Sequence, residues 1–140
     1  MMIDAIYNKD VIRLAADISG IEPIENPDSV VSLRSPLCGS SIEISIITNN
    51  GFITEYCQKV TACALGQASA SVMAKAVIGK SKKEIQAARK NTVEMLTSGT
   101  PFPEGDWASL SALAPAKDAK PRHGAILLPF DAILKALDQK

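Results

Sequence analysis

Residues 41–60 read SIEISIITNNGFITEYCQKV and carry the pattern of a β-hairpin. In the first half, isoleucine alternates with polar residues. This pattern predicts a half-buried strand from Ser41 to Thr48 that has one apolar face. The following Asn49-Asn50-Gly51 predicts a tight turn, because Asn and Gly tolerate a positive φ. Phe52 to Val60 then predicts the partner strand, so this stretch folds back on itself as an antiparallel pair.

The segments on either side of the hairpin extend the prediction. Upstream, Val30 to Arg34 is short and rich in residues that favour strands, which adds a third strand. Downstream, apolar and small residues recur at helical spacing from Cys63 until Gly79. Ser81-Lys82-Lys83-Glu84 has the form of a capping box, so a second helix is expected to run to about Thr97. Strands followed by helices indicate an α+β fold, with helices packed on one face of a small three-stranded antiparallel sheet.

The two ends of the chain carry further helical signals. Near the N-terminus a helix is expected from Asp10 to Ile18, followed by a connector that contains two prolines. Towards the C-terminus, Asp106 can cap a short helix, and a polar linker is expected over Ala114 to Lys120. The apolar residues of that short helix are expected in the core: Trp107, Leu110 and Leu113. Pro121 can open the last helix, whereas Pro129 lies inside it and predicts a break or kink. Residues 1–140 contain no repeats and are expected to form a single domain.

The composition excludes several classes of function. The 15 basic residues balance 15 acidic ones and are scattered, so no surface for nucleic acid or an anionic membrane is predicted. No apolar run approaches the roughly 20 residues of a membrane-spanning helix. No secretory signal is visible at the N-terminus, so the reducing cytoplasm is the expected location. Three cysteines in that compartment favour metal or sulfur chemistry over disulfides.

Three residues stand at the predicted ends of strands or helices, where metal ligands could converge. Cys38 lies in the turn before the first hairpin strand, and Cys63 opens the helix that follows the second, where backbone amides are left unpaired. His123, the only histidine, lies in the first turn of the last helix. The cysteine spacing differs from that of a zinc knuckle, so the residues alone leave open a metal or sulfur site and cysteines that are simply buried. Cys57 lies within a strand and is expected to pack or to be exposed at the sheet rather than to act as a ligand.

Several short motifs, taken in order, point to one protein family. They are Cys38-Gly39-Ser40, the turn Asn50-Gly51-Phe52-Ile53, the Ala/Ser-rich run Ala62 to Ser71, Gly79-Lys80-Ser81, and Pro121 to Leu127. Together they resemble the iron–sulfur cluster assembly scaffold family of IscU, SufU and the NifU N-terminal domain. The resemblance runs from about Val30 to Leu137. The long connector around Trp107 makes the spacing more similar to that of the SufU branch.

The resemblance implies that a transient iron–sulfur cluster or a zinc ion is held by three cysteines, assisted by an Asp and sometimes a His. On that pattern Cys38 and Cys63 match the first and second cysteines. Ser40 stands where the family has Asp, and Gly124 stands where it has the third cysteine, beside His123. The implied ligand set is therefore Cys38, Cys63 and His123, with the missing ligands supplied by a partner, a second copy of the chain or a small thiol.

Three functions follow from the resemblance. The first is a non-enzymatic scaffold or carrier that receives iron and sulfur, with a cysteine desulfurase and acceptor proteins as partners. The second is a zinc-dependent sulfur acceptor for a cysteine desulfurase. The third is a relative without metal chemistry that acts as an interaction or regulatory protein. A hydrolase built on Cys63 and His123 is disfavoured, because neither an orienting acid nor an oxyanion motif is evident.

Overall fold

The computed structural model describes residues 8–35, 39–99 and 103–138. Within these ranges the helices and strands follow in the order α1 (Lys9–Ala16), β1 (Ser29–Arg34), β2 (Ser41–Asn49), β3 (Phe52–Thr61), α2 (Ala64–Ala76), α3 (Lys82–Ser98) and α4 (His123–Asp138). Two stretches of 3-10 helix, η1 (Gly105–Asp118) and η2 (Lys120–Arg122), lie between α3 and α4. Every strand and helix expected over residues 10–97 is present, with ends shifted by at most three residues.

The three strands form one antiparallel sheet in the order β1-β2-β3. The hairpin between β2 and β3 turns at Asn50 and Gly51, whose φ angles are +55° and +85°. Two successive positive φ angles give the turn that matches the twist of paired strands. The predicted hairpin is therefore confirmed, including the residues that make its turn.

All helices that contact the sheet pack on one of its faces. The alternate side chains of β2 that point to this face are almost completely buried: Ile42, Ile44 and Ile46. α4 contacts β1 and β2, α2 contacts β3 and α4, and α1 lies against α2. The period-two pattern of β2 thus determines which face of the sheet becomes the core, and the α+β prediction is confirmed.

The helix ends follow local sequence signals. Asn8 caps α1 by accepting a hydrogen bond from the Val11 amide. Ser81 and Glu84 form the predicted capping box at the start of α3, and Gly99 ends that helix with a φ of +86°.

Across residues 8–35, 39–99 and 103–138, no helix combines the length and the apolar character needed to cross a bilayer.

The segment after α3 corrects one prediction. The polar linker expected over Ala114–Lys120 is wrong, because most of these residues continue the 3-10 conformation of η1 and η2. The buried residues of η1 recur every third position, which is the period of a 3-10 helix rather than an α-helix: Trp107, Leu110, Leu113 and Ala116. The Trp107 ring lies 5.7 Å from the Phe130 ring of α4, so its predicted place in the core is confirmed.

Pro129 does not break the last helix, so the break that was one of the two expected outcomes is wrong. α4 begins at His123 rather than at Pro121 and continues to Asp138 with Pro129 inside it. Because proline has no amide hydrogen, the Ala125 carbonyl loses its partner within the helix. One residue further on, the Ser69 hydroxyl of α2 donates to the Ile126 carbonyl over 2.6 Å. Helix α2 therefore supplies a hydrogen bond and packing where the proline weakens α4.

Candidate functional site

Three segments of the chain meet at one end of the sheet. In the antiparallel register, Arg34 pairs with Ser41, and Ser41 pairs with Thr61. The end of β1, the start of β2 and the end of β3 therefore lie side by side. Because Cys63 follows β3 by two residues, the start of α2 lies close to the β1–β2 connection.

The N-terminus of α4 joins this end of the sheet through two close contacts. A Cβ built on Gly124 would lie 2.8 Å from the Ser35 hydroxyl oxygen, which belongs to the β1–β2 connection. A Cβ built on Gly66 would lie 3.3 Å from the Ala125 Cβ. Gly66 is in the first turn of α2 and Gly124 is in the first turn of α4. The two helix N-termini and the connection therefore form one continuous region.

Cys63 is the N-cap residue of α2. Its backbone is extended, with φ −66° and ψ 172°, and its carbonyl accepts the hydrogen bond of the Gln67 amide over 2.9 Å. The side chain makes no capping hydrogen bond, and the residue is half-buried. A helix N-terminus carries a positive partial charge that stabilises a negative group placed there. The Cys63 thiol is thus left available at a position suited to an anionic sulfur ligand.

The β1–β2 connection carries the other predicted cysteine. Cys38 lies outside the described residues, and the two ends of its connection are described. The Ser35 amide donates to the Ser40 carbonyl over 2.7 Å, and the Gly39 amide donates to the Ser35 carbonyl over 3.0 Å. Ser35 and Ser40 are both buried. These hydrogen bonds fix the width of the connection at its base.

His123 faces the 3-10 helix η1. Its Nε2 atom lies 2.8 Å from the Ala116 carbonyl oxygen. A carbonyl can only accept a hydrogen bond, so Nε2 carries the hydrogen, and in the neutral ring the lone pair is then on Nδ1. Metal-binding histidines are commonly held in this manner, with the second ring nitrogen donating to a carbonyl. The geometry therefore leaves Nδ1 as the ring atom that could bind a metal.

Comparison with known proteins identifies the family. Residues 6–119 match the family model described as the NifU-like N terminal domain. The chain belongs to this family. It is similar to the N-terminal part of a nitrogen-fixing NifU-like protein from Brucella abortus, with 41% identity, a TM-score of 0.94, and coverage of 99% of this chain and 96% of that one. No curated protein matches the chain significantly.

A second solved structure extends the comparison. It is a putative iron–sulfur cluster assembly scaffold protein for the SUF system from the thermophile Fervidobacterium islandicum AW-1. The two chains share 25% identity and a TM-score of 0.84, and the match covers 96% of this chain and 98% of that one. These similarities confirm the predicted family and the predicted fold.

The predicted ligands of this NifU-like domain are only partly described. Among residues 8–35, 39–99 and 103–138, no group of three or more His, Cys, Asp and Glu side chains is arranged to hold a metal ion. Cys63 and His123 belong to the region where the three segments meet, whereas Cys38 falls outside the described residues. The ligand set of Cys38, Cys63 and His123 therefore stays a prediction. Ser35 lies in this region too, and no sequence pattern points to it.

Cys57 has a different environment from Cys63. It pairs with Ser45, between the core-facing Ile44 and Ile46 of β2, so it lies on the sheet face opposite the core. The residue is buried, and burial raises the pKa of its thiol, as does nearby Glu43, while Lys59 lowers it. A buried thiol with a raised pKa is a poor metal ligand, because the thiolate is the form that binds. Of the two alternatives expected for Cys57, packing and exposure at the sheet, the structure shows the first.

Proposed function

We propose that this NifU-like domain is an iron–sulfur cluster assembly scaffold that binds iron and sulfur transiently and delivers a cluster to acceptor proteins. Membership of the family supports the assembly role. The observation that carries the proposal for this chain is the Cys63 thiol. Cys63 is the N-cap residue of α2, and its side chain makes no capping hydrogen bond. It lies in the region where the β1–β2 connection and the N-terminus of α4 also meet.

The proposed ligands are Cys38, Cys63 and His123. Two thiolates and one imidazole form a set that suits iron–sulfur species and also zinc. A cluster takes four ligands in total, so this set leaves a position for an external ligand. An incomplete set of protein ligands suits a cluster that must later be transferred to an acceptor protein. The Nε2 hydrogen bond of His123 supports a role for its Nδ1 atom.

The partners follow from the cargo. A cysteine desulfurase would supply the sulfur, and apoproteins that need a cluster would receive the product. We place this exchange in the cytoplasm, where cysteines stay reduced. A second copy of the chain is one source of the missing ligand.

Anaerobic reconstitution tests the proposal. The native chain, Cys38→Ala, Cys63→Ala and the matched control Cys57→Ala are incubated with ferrous iron and sulfide, and the visible absorption of a cluster is recorded. We expect a labile cluster in the native chain and in Cys57→Ala, and loss of the cluster in the other two variants. Equal absorption in all four chains would contradict the ligand assignment.

Elemental analysis of the chain purified without oxygen distinguishes the scaffold from a zinc-dependent sulfur acceptor. The sulfur acceptor would be favoured if the native chain contains zinc, if Cys38→Ala and Cys63→Ala abolish zinc binding, and if reconstitution yields no cluster. If neither iron, zinc nor sulfane sulfur binds to the native chain, the domain is a metal-free interaction protein. In that outcome the scaffold proposal is wrong.

A further inference from the structure

The two edges of the sheet differ in how their backbone groups are used. At the β3 edge, the Gln58 amide donates to the Gly20 carbonyl over 2.7 Å. Further along this edge, the Ile53 amide donates to the Lys80 carbonyl over 3.0 Å, and the Ile53 carbonyl accepts from the Gly79 amide over 2.7 Å. The connector after α1 and the segment between α2 and α3 therefore cover parts of the β3 edge.

The β1 edge, on the other side of the sheet, is open. The Ser35 amide donates to the Ser40 carbonyl over 2.7 Å, so Ser35 directs its backbone groups towards β2. Because this direction alternates along a strand, Val30, Ser32 and Arg34 direct their amides and carbonyls away from β2. Among the residues that the structure describes, no hydrogen bond reaches these outward groups. The same three residues are exposed, so the edge is accessible.

β1 lacks the features by which edge strands usually avoid pairing with another chain. Such strands are protected by proline, by lysine, by a bulge or by a segment that covers them. β1 is described along its whole length, pairs with β2 without a bulge, and contains neither proline nor lysine. Its one charged residue, Arg34, is the last of the strand, and Val30 near the other end is 49% exposed. β1 therefore offers its edge to a further strand.

The sequence of β1 is complementary to itself when two copies run antiparallel. If Ser32 lies opposite Ser32 of a second copy, each Val30 lies opposite the other copy's Arg34, and every outward backbone group has a partner. On the exposed face, the aliphatic part of Arg34 can cover Val30, and like charges are not directly opposite. On the core-facing side, Val31 lies opposite Leu33, which gives an apolar pair.

We propose that β1 is a dimerisation strand that pairs with β1 of a second copy across a two-fold axis and joins the two sheets into one. The 15 basic and 15 acidic residues balance, so two copies do not repel each other through their net charge. The pairing uses both β1 edges and leaves the two β3 edges outside, so association ends at the dimer. This dimer does not depend on bound iron, zinc or sulfur.

Sedimentation equilibrium of the native chain measures the dimer directly. The chain is kept reduced and in the presence of a metal chelator, which excludes dimers formed by a disulfide or by a shared metal ion. We expect a monomer–dimer equilibrium with a dissociation constant below about 1 mM. A chain that stays monomeric up to about 1 mM would overturn the proposal and leave the β1 edge to an extended segment of another protein.

Ser32→Pro tests whether the outward amides hold the dimer, and Ser32→Ala is its matched control. Proline removes the amide hydrogen of position 32, which faces solvent in the monomer and pairs across the two-fold axis in the dimer. We expect Ser32→Pro to weaken dimerisation at least about tenfold and Ser32→Ala to change it less than about twofold. Circular dichroism verifies that both variants keep the fold. Equal dimerisation of the two folded variants would overturn the proposal.

A charge comparison at position 30 tests the register without changing the backbone. In the proposed dimer, position 30 of each copy lies opposite Arg34 of the other. Val30→Lys therefore creates two like-charged pairs, and Val30→Glu creates two oppositely charged pairs, while both variants lose the same valine. We expect the Lys variant to dimerise about tenfold more weakly than the Glu variant at low salt. Equal dissociation constants would overturn the proposed pairing.

The outcomes for the dimer and for the cargo are separable. A dimer that Ser32→Pro weakens, formed by a chain that reconstitutes no cluster and binds no zinc or sulfane sulfur, would support the β1 pairing and refute the proposed function. A cluster reconstituted on a chain that stays monomeric without metal would support the scaffold and refute the β1 pairing.

Discussion

Replacing Gln58 with Met tests what fastens β3 to the rest of the fold. The side-chain oxygen of Gln58 accepts a hydrogen bond from the Tyr56 hydroxyl over 2.7 Å. Its side-chain nitrogen donates to the carbonyls of Ser19 and Ala70 over 3.0 and 3.1 Å. Only 1% of Gln58 is exposed to solvent. One side chain therefore ties β3 to α2 and to the connector that follows α1.

The expected loss can be worked out from these three bonds. Met keeps the length of Gln, so the substitution removes polar groups without opening a large cavity. Burial raises the pKa of Tyr56, so its hydroxyl remains a donor that would lack an acceptor. Such a group costs about 1–3 kcal/mol, and each carbonyl that loses one of its partners costs about 0.5–1 kcal/mol. We expect the free energy of unfolding to fall by about 2–5 kcal/mol.

Urea unfolding followed by the fluorescence of Trp107, the only tryptophan, measures this loss. With a slope of about 2 kcal/mol/M, the midpoint should fall by about 1–2.5 M. Tyr56→Phe removes only one of the three bonds and should cost about 1 kcal/mol. A change below about 0.5 kcal/mol for Gln58→Met would show that these groups find other partners, and would refute the reasoning.

Two further predictions concern buried polar groups on α2 and the two described cysteines. The Ser71 hydroxyl is buried and has no hydrogen-bond partner among the described residues, so Ser71→Ala should stabilise the chain by about 1 kcal/mol. Ser69→Ala should instead cost about 1 kcal/mol, because the Ser69 hydroxyl bonds the Ile126 carbonyl, and thermal unfolding of the two variants compares them. In the native chain, Cys57 should react with a disulfide reagent more slowly than Cys63 at pH 7, and its rate should keep rising above pH 9, since burial raises its pKa from the ordinary value of 9.0. Peptide mapping after timed reaction assigns the two rates, and faster labelling of Cys57 would contradict the environment described for it.

Much of the fold could be predicted because its signals are local. The alternation of isoleucines in β2, the Asn50-Gly51 turn and the Ser81–Glu84 capping box each act over a few residues. Pro129 misled the prediction of a break because the contacts that support α4 near it come from a distant part of the chain. The Ser69 hydroxyl that bonds the neighbouring carbonyl lies 57 positions earlier in the chain. Only the packing of α2 on α4 brings the two together.

In the candidate site, too, some residues could be predicted from local sequence signals, whereas others depend on contacts across the fold. Cys63 could be found because a cysteine that opens a helix is visible in the sequence. The orientation of His123 depends on its hydrogen bond with the Ala116 carbonyl of η1. The apolar spacing of Trp107, Leu110 and Leu113 is compatible with the 3-10 conformation of this segment. The close approach of Ser35 to Gly124 could not be predicted, since it arises from packing across the fold.

The 3-10 conformation of η1 also determines the length of this segment and the insertions or deletions that it can accept. A 3-10 helix rises about 2.0 Å per residue and an α-helix about 1.5 Å, so the 14 residues of η1 extend over about 28 Å rather than about 21 Å. Removing three residues would shorten the segment by one full turn and keep its apolar stripe facing the core. Removing one residue would rotate the stripe by about a third of a turn and expose it. Relatives that differ in length here should therefore differ in steps of three residues.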